Sequence, residues 1–250
     1  MTATRERAIN LRDWEVRAHQ EGRLKLLVRT MKPQPNNPEV FGYSPIWGSC
    51  VPTEDTPGVR SGSIPAECIG RYTIHAATNV NGRRVDRWIA CPFGKPGDRL
   101  RGREAWQSVP FGPHRDWPGC PDLRPRKTCE LNRARVVIWR ADGEMPGPEI
   151  WRPSIHMPRW AVRNWLEITE VRCGRVREMS EYDGWDCGIQ VMEQSAGQSV
   201  YRWYGIDRPL AANVLSAVAT LYETDHGEGS WERDWVWMIG VKRIEGGGAK

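Results

Sequence analysis

An α+β fold on a small closed or curled sheet is predicted by three observations. About six short segments are rich in β-branched and aromatic residues, three or four helical stretches lie scattered among them, and no regular strand–helix alternation of the kind a parallel sheet needs is present. The 250 residues are enough to bury one sizeable core. No internal repeat or clear boundary divides the chain. It reads as an N-terminal arm over 1–9, a single domain over 10–244 with insertions near 33–65 and 107–132, and a flexible glycine-rich tail over 245–250.

The first helix is expected between Asn10 and Gly22, with Leu11, Trp14 and Ala18 on one face, Asn10 as N-cap and Gly22 as stop. Arg23 to Met31, dense in Leu and Val and closed by Lys32-Pro33, suits a core strand. Residues 33–65 hold seven prolines and residues 92–125 seven more, so two long irregular excursions interrupt the regular elements. Between them Arg71–Ala77 and Arg84–Ala90 read as a hairpin, turned near Asn81-Gly82. Further strands are expected over Arg99–Trp106, Arg133–Arg140 and Trp165–Val171 on their β-branched content. Ser180 and Asp183 carry capping-box spacing for a short helix. Pro209–His226 reads as a longer helix with Leu210, Val214, Val218 and Leu221 on one face and Gly227 as stop. Trp235–Val241 is an almost wholly apolar run of strand length, which implies burial on both faces.

Charge and cysteine content narrow the function classes. Lys plus Arg exceeds Asp plus Glu by 36 to 31, with Arg99, Arg101, Arg103, Arg115, Arg124, Arg126, Lys127, Arg133 and Arg135 making the middle the most basic region. If these share a face they attract a nucleic-acid backbone. Seven scattered cysteines are too few for a disulfide framework, and no run of 18 apolar residues or secretory leader is present, so a cytoplasmic protein is expected. Cys91, His114, Cys120 and Cys129 offer four zinc ligands, but the spacing between Cys120 and Cys129 fits no compact zinc pair. No phosphate-loop or dinucleotide turn occurs, and no cofactor or metal is expected.

Three segments carry a family likeness. They are Asp13-Trp14-Glu15-Val16-Arg17-Ala18 through Gly22 to Lys32-Pro33-Gln34-Pro35; Gly97-Asp98-Arg99-Leu100 with Arg103-Glu104-Ala105-Trp106; and Trp151-Arg152-Pro153-Ser154-Ile155-His156-Met157-Pro158-Arg159-Trp160-Ala161. With Trp235-Val236-Trp237, their order resembles the phage and prophage proteins related to ASCH domains, members of the PUA-like superfamily. The resemblance leaves the two long proline-rich loops unmatched, as insertions, and implies a small PUA-like β-barrel with flanking helices and a cleft that meets RNA or a modified nucleoside; the expectation for this chain is a module that holds RNA, DNA or a modified nucleoside in a bacterial host cytoplasm. Some bacterial members hydrolyse acylated cytidine. The family pattern Gly-x-Lys-x-x-(Thr or Glu)-x-Arg falls here on Gly22, Leu24, Leu27 and Arg29. Leucine can neither accept a proton nor attack a carbonyl, and Lys25 points to the opposite face of a strand from position 24.

The expected function is therefore nucleic-acid or modified-nucleoside binding, with Arg29, Arg103, Ser154, His156 and Arg159 lining the cleft and Trp106 or Trp160 stacking on a base. Pro153 and Pro158 stiffen the wall that carries them. One alternative is a hydrolase of a modified base, amidohydrolase-like, with Glu104 as acid and Lys25 or a water as its companion. Another is a phage accessory protein whose loops bind a host protein. Most of the 14 tryptophans, including Trp14, Trp139, Trp165, Trp235 and Trp237, are expected in the core.

Overall fold

The computed structural model describes residues 5–32, 34, 73–80, 83–110, 135–143, 150–195, 198–202 and 213–244. Its strands are β1 (Glu6–Asn10), β2 (Leu26–Thr30), β3 (Thr73–Val80), β4 (Arg83–Ala90), β5 (Arg99–Arg103), β6 (Trp106–Pro110), β7 (Arg135–Trp139), β8 (Asn164–Arg175), β9 (Gln190–Ser195), β10 (Gln198–Arg202) and β11 (Trp235–Arg243). The helices are α1 (Asp13–Gln20), α2 (Glu181–Asp186), α3 (Val214–His226) and the single turn α4 (Ser230–Arg233). The fold is mixed α+β around a five-stranded sheet in the order β1-β5-β8-β11-β2, with three separate two-stranded pairs, β3–β4, β6–β7 and β9–β10.

Only the β1–β5 pairing in the main sheet is parallel. Among the described residues the sheet stays open, since β1 and β2 share no ladder. Their ends are nevertheless tied, because the Arg29 guanidinium donates to the Asn10 carbonyl at 2.9 Å. The sheet curls far enough to bring its two edges within one side chain of each other.

Alternation along β11 sorts the core into two layers. Trp235, Trp237, Ile239 and Val241 pack on one face with Leu24, Leu27, Leu100, Leu166 and the apolar face of α1. Val236 and Met238 pack on the other with Leu26, Val28 and the α3 residues Val214, Ala217, Val218 and Leu221. The two-sided burial expected from the apolar run is present. A third cluster, Trp106, Met157, Ala161, Val162 and Trp165, seats the segment 150–162.

Several helix ends follow the local rules. In α2 the Ser180 amide donates to Asp183 Oδ2 at 2.9 Å and the Asp183 amide to Ser180 Oγ at 3.2 Å, the expected capping box. Asn213 accepts from the Ser216 amide at 2.8 Å, and Gly227, at φ 92°, ends α3. α3 thus starts later than the Pro209 expected from sequence; residues 203–212 lie outside the described set. α1 likewise begins at Asp13 rather than after Asn10, because Asn10 is committed to β1 and the Arg12 amide takes the Glu15 carboxylate at 2.9 Å.

The N-terminal arm expected over 1–9 is in part strand β1. It gains its ladder from β5, over 90 residues away in sequence, with Glu6 opposite Arg99 and Asn10 opposite Arg103. The strand expected over Arg99–Trp106 is β5 and the first residue of β6, and neither the rest of β6, which runs into the second proposed insertion, nor the β9–β10 hairpin follows from local pattern. The first insertion except Gln34, most of the second, and the 245–250 tail lie outside the described residues, as does the Asn81-Gly82 turn of the β3–β4 hairpin. No described helix is long and apolar enough to cross a membrane.

Gly102 marks where β5, β8 and the chain after β1 approach most closely. A Cβ there would lie 2.5 Å from Leu11 Cδ1, 3.0 Å from Asn164 Cβ and 3.1 Å from the Asn164 carbonyl. The backbone contact cannot relax by a rotamer change. Gly102→Ala is expected to destabilise by about 1–3 kcal/mol, read as a lower urea midpoint at unchanged m; an unchanged midpoint would show that the strands separate freely.

Candidate nucleic-acid interface

The site is built on β5. Strand alternation buries Leu100 and Gly102 and turns Arg99, Arg101 and Arg103 to the other face. Arg101 lies between Ala8 of β1 and Trp165 of β8. By register, this is the face that α3 covers at the β2–β11 end of the sheet. At the β5 end it is instead covered by residues 150–162.

That cover is held rigidly. Trp106 and Arg152 exchange backbone hydrogen bonds of 3.2 and 2.9 Å. Two 3-10 turns follow, Ser154–His156 and Arg159–Ala161, each preceded by a proline, Pro153 at φ −57° and Pro158 at φ −72°. Proline presets that angle, so little further backbone entropy is lost on binding a ligand. Met157, Ala161 and Val162 plug the segment into the third core cluster.

Four arginines reach this surface. Arg103 donates to the Ile155 carbonyl at 3.1 Å. Arg159 forms a two-pronged pair with Glu6 at 3.0 and 2.8 Å and lies over the Trp165 ring at 5.7 Å. Arg101 is 3.7 Å from the same Glu6, and Arg152 stands over the Trp106 ring at 5.4 Å. Glu6 is accordingly held below the usual carboxylate range, chiefly by its Arg159 hydrogen bonds. Burial and the Arg101 charge push Arg103 below its ordinary value. The Nε–H groups of Arg101 and Arg103 and the indole N–H of Trp106 are buried and have no acceptor. Enclosed donors of this kind cost free energy, and an anion meets these arginines at the outer part of the side chain, which for Arg101 is 25% exposed.

Aromatic and apolar surface adjoins these donors. Trp106 is 5% exposed and meets Trp160 edge to face, centroids 6.3 Å apart at 83°, while Trp160 is 37% exposed. Ile155 and His156 are exposed and Ser154 is half-buried on the same segment. Thus Arg103, Trp106, Ser154, His156, Arg159 and Trp160 share one neighbourhood. Arg152 of the third segment joins them, a residue the sequence alone does not mark; its ring contact with Trp106 depends on a pairing 46 positions apart.

The remaining candidates stand elsewhere. Glu104 is 0% exposed and its carboxylate receives two hydrogen bonds from Arg163, at 2.8 and 2.9 Å, and one from Asn164 at 2.6 Å. Burial raises its pKa in spite of Arg163. Arg163 also grips Asp142 at 2.7 and 2.6 Å and stacks over Trp139 at 4.2 Å. Arg29 makes a two-pronged pair with the buried Glu15 at 2.6 and 2.8 Å. Lys25 is exposed beside Asp186 at 3.6 Å, and Leu24 and Leu27 are in the core. Arg163, Asn164 and Glu15 are partners that no spacing rule reveals, being 59, 60 and 14 positions from the groups they serve.

Cys91 is a buried thiol whose pKa burial pushes up to about 11. His114, Cys120 and Cys129 lie outside the described residues, among which no cluster of three metal-ligating side chains occurs. No family model, curated protein or solved structure matches the chain.

Proposed function

We propose that the protein binds nucleic acid on the arginine-bearing face of β5 and the adjoining segment 150–161. The observation that carries this reading is the gathering of the part-exposed Arg101, Arg103, Arg152 and Arg159 around a partly exposed Trp160. Phosphate oxygens supply acceptors, and an indole accepts a base or nucleoside ring. The curl that brings Arg29 to Asn10 supports a PUA-like barrel left open between β1 and β2, in keeping with an ASCH-related phage protein. Buried thiols at Cys91, Cys173 and Cys187 accord with a host cytoplasm.

The hydrolase reading has weaker support. Leu24 and Leu27 offer no reactive atom, the Glu104 carboxylate is sealed behind Arg163, and the Lys25 ammonium is engaged with Asp186. The host-protein reading rests on the proline-rich loops, most of which lie outside the described residues.

Anisotropy of a labelled 20-mer, single-stranded or duplex, tests the proposal. Binding is expected to weaken steeply with salt. The double substitution Arg101→Ala/Arg103→Ala is expected to lower affinity about tenfold or more and to reduce the salt slope by about two charges. Glu6→Gln, which releases Arg159, is expected to strengthen binding severalfold. Absence of binding to either form at about 50 mM salt, with the fold intact by circular dichroism, would refute the reading.

A further inference from the structure

The same face carries a more specific statement, which rests on the reading above. We infer that its ligand is a single-stranded polynucleotide, with successive phosphates seated against Arg101 and Arg103 and a neighbouring base laid on Trp160.

The first support is the shape of the face. Among the described residues α2 and α3 pack at the far end of the sheet, and the surface beside Arg101 and Arg103 is a strand face with two short 3-10 turns. Reading a duplex in its major groove takes a projecting helix or ribbon. The two-stranded element at this face, β6–β7, is tied at its start to the segment 150–162 by the Trp106–Arg152 bridge. A flexible strand, by contrast, settles its backbone onto a flat face and turns its bases outward one at a time.

The second support is the depth of the donors. Arg101 is 25% exposed in its side chain, and the Nε–H groups of both arginines are buried. The two residues are one strand repeat apart, about 6.6 Å. Recessed donors at that spacing suit successive phosphates of one strand. The rigid outline of a duplex keeps its phosphates on a convex ridge, farther from recessed groups.

The third is the placement of aromatic surface. In a duplex the base faces are stacked inside and a protein ring beside the backbone gains nothing from them. Trp160 is more than one-third exposed although Trp106 holds it edge to face, and it follows Arg159 directly in a turn stiffened by Pro158. A ring fixed in place beside cationic groups fits an unpaired base, at little cost in side-chain entropy. Stacking tolerates any base, so weak sequence preference follows.

The experiment compares a labelled dT12, an abasic 12-mer of equal phosphate count, rU12 and a 12-base-pair duplex on the full chain. Expected are binding of dT12 or rU12 about tenfold tighter than of the duplex and of the abasic strand. Trp160→Ala is expected to bring the base-bearing strand down to the abasic level while leaving abasic binding and the salt slope unchanged, and Trp160→Phe to retain most of the affinity. The dT12 and rU12 arms distinguish DNA from RNA. Equal affinity for duplex and single strand, or for dT12, rU12 and the abasic strand alike, would overturn the single-strand inference and leave a backbone-binding face. No binding to any of the four would overturn the underlying reading, and this inference with it.

Discussion

Arg163→Met is expected to cost about 3–5 kcal/mol at neutral pH, among the largest losses a single substitution in this chain produces. Arg163 is the cation that neutralises a fully buried Glu104, and it spans to Asp142 and Trp139 at the same time. Methionine fills similar volume but leaves the Glu104 charge with Asn164 as its remaining neutral donor. The carboxyl then either takes a proton or admits water, and both oppose folding at pH 7. The loss is expected to shrink in acid, where a protonated Glu104 needs no counter-charge. Urea titrations at pH 7 and pH 5 read both effects, and Arg163→Met/Glu104→Leu should recover most of the loss, because an apolar pair in place of a buried ion pair leaves nothing unsatisfied. A loss below about 1 kcal/mol at pH 7 would mean that Glu104 is not held by Arg163, and would return that carboxylate to consideration as an acid.

The wild-type protein is expected to lose about 3 kcal/mol between pH 6.5 and 4 through His19 alone. His19 is 2% exposed on the buried side of α1, its Nδ1 has no partner, and burial together with the Arg243 charge pushes its pKa to about 4. The direction follows from proton counting. In the unfolded chain the imidazole takes a proton below about 6.5, but in the folded chain it stays neutral until about 4. Over that window the unfolded state binds the extra proton, so stability falls as pH falls. Glu6 and Asp183, whose folded pKa values are lowered by Arg159 and Arg172, add losses of the same sign at lower pH. The measurement is therefore a difference: denaturant midpoints of wild type and His19→Leu at pH 7 and pH 4.5. The variant should show a shallower decline, and parallel declines would show that His19 is not a buried neutral base.

Short-range rules account for much of the architecture. The Ser180–Asp183 capping box, the Asn213 cap and Gly227 stop of α3, the β3–β4 hairpin and the two-sided burial of β11 each follow from a few consecutive residues, since a turn of helix or one strand repeat is all the physics they require. The tryptophans divide in the same way. Trp235 and Trp237 are read as core from their apolar neighbours and are 2% and 1% exposed. Trp106, expected to stack on a base, is only 5% exposed, with Arg152 from 46 positions away over its ring.

The charged candidates show the limit most plainly. The family resemblance singles out Arg29, Arg103, Glu104 and Arg159 as residues of interest, and nothing local states their partners. In the folded chain Arg29 is taken by Glu15 and Glu104 by Arg163, whereas Arg101 and Arg103 keep donors without acceptors. A guanidinium has the same chemistry in all these places. Whether it serves as a counter-ion or as a site depends on which carboxylate the fold brings within about 3 Å. Local caps, stops and the apolar core strand are thus legible in the order of amino acids, because they depend on neighbours along the chain, whereas β1 and the start of α1 depend on pairings the local pattern does not state. The division of arginines into structural and available ones belongs to the tertiary fold, because electrostatic pairing is set by distance in space.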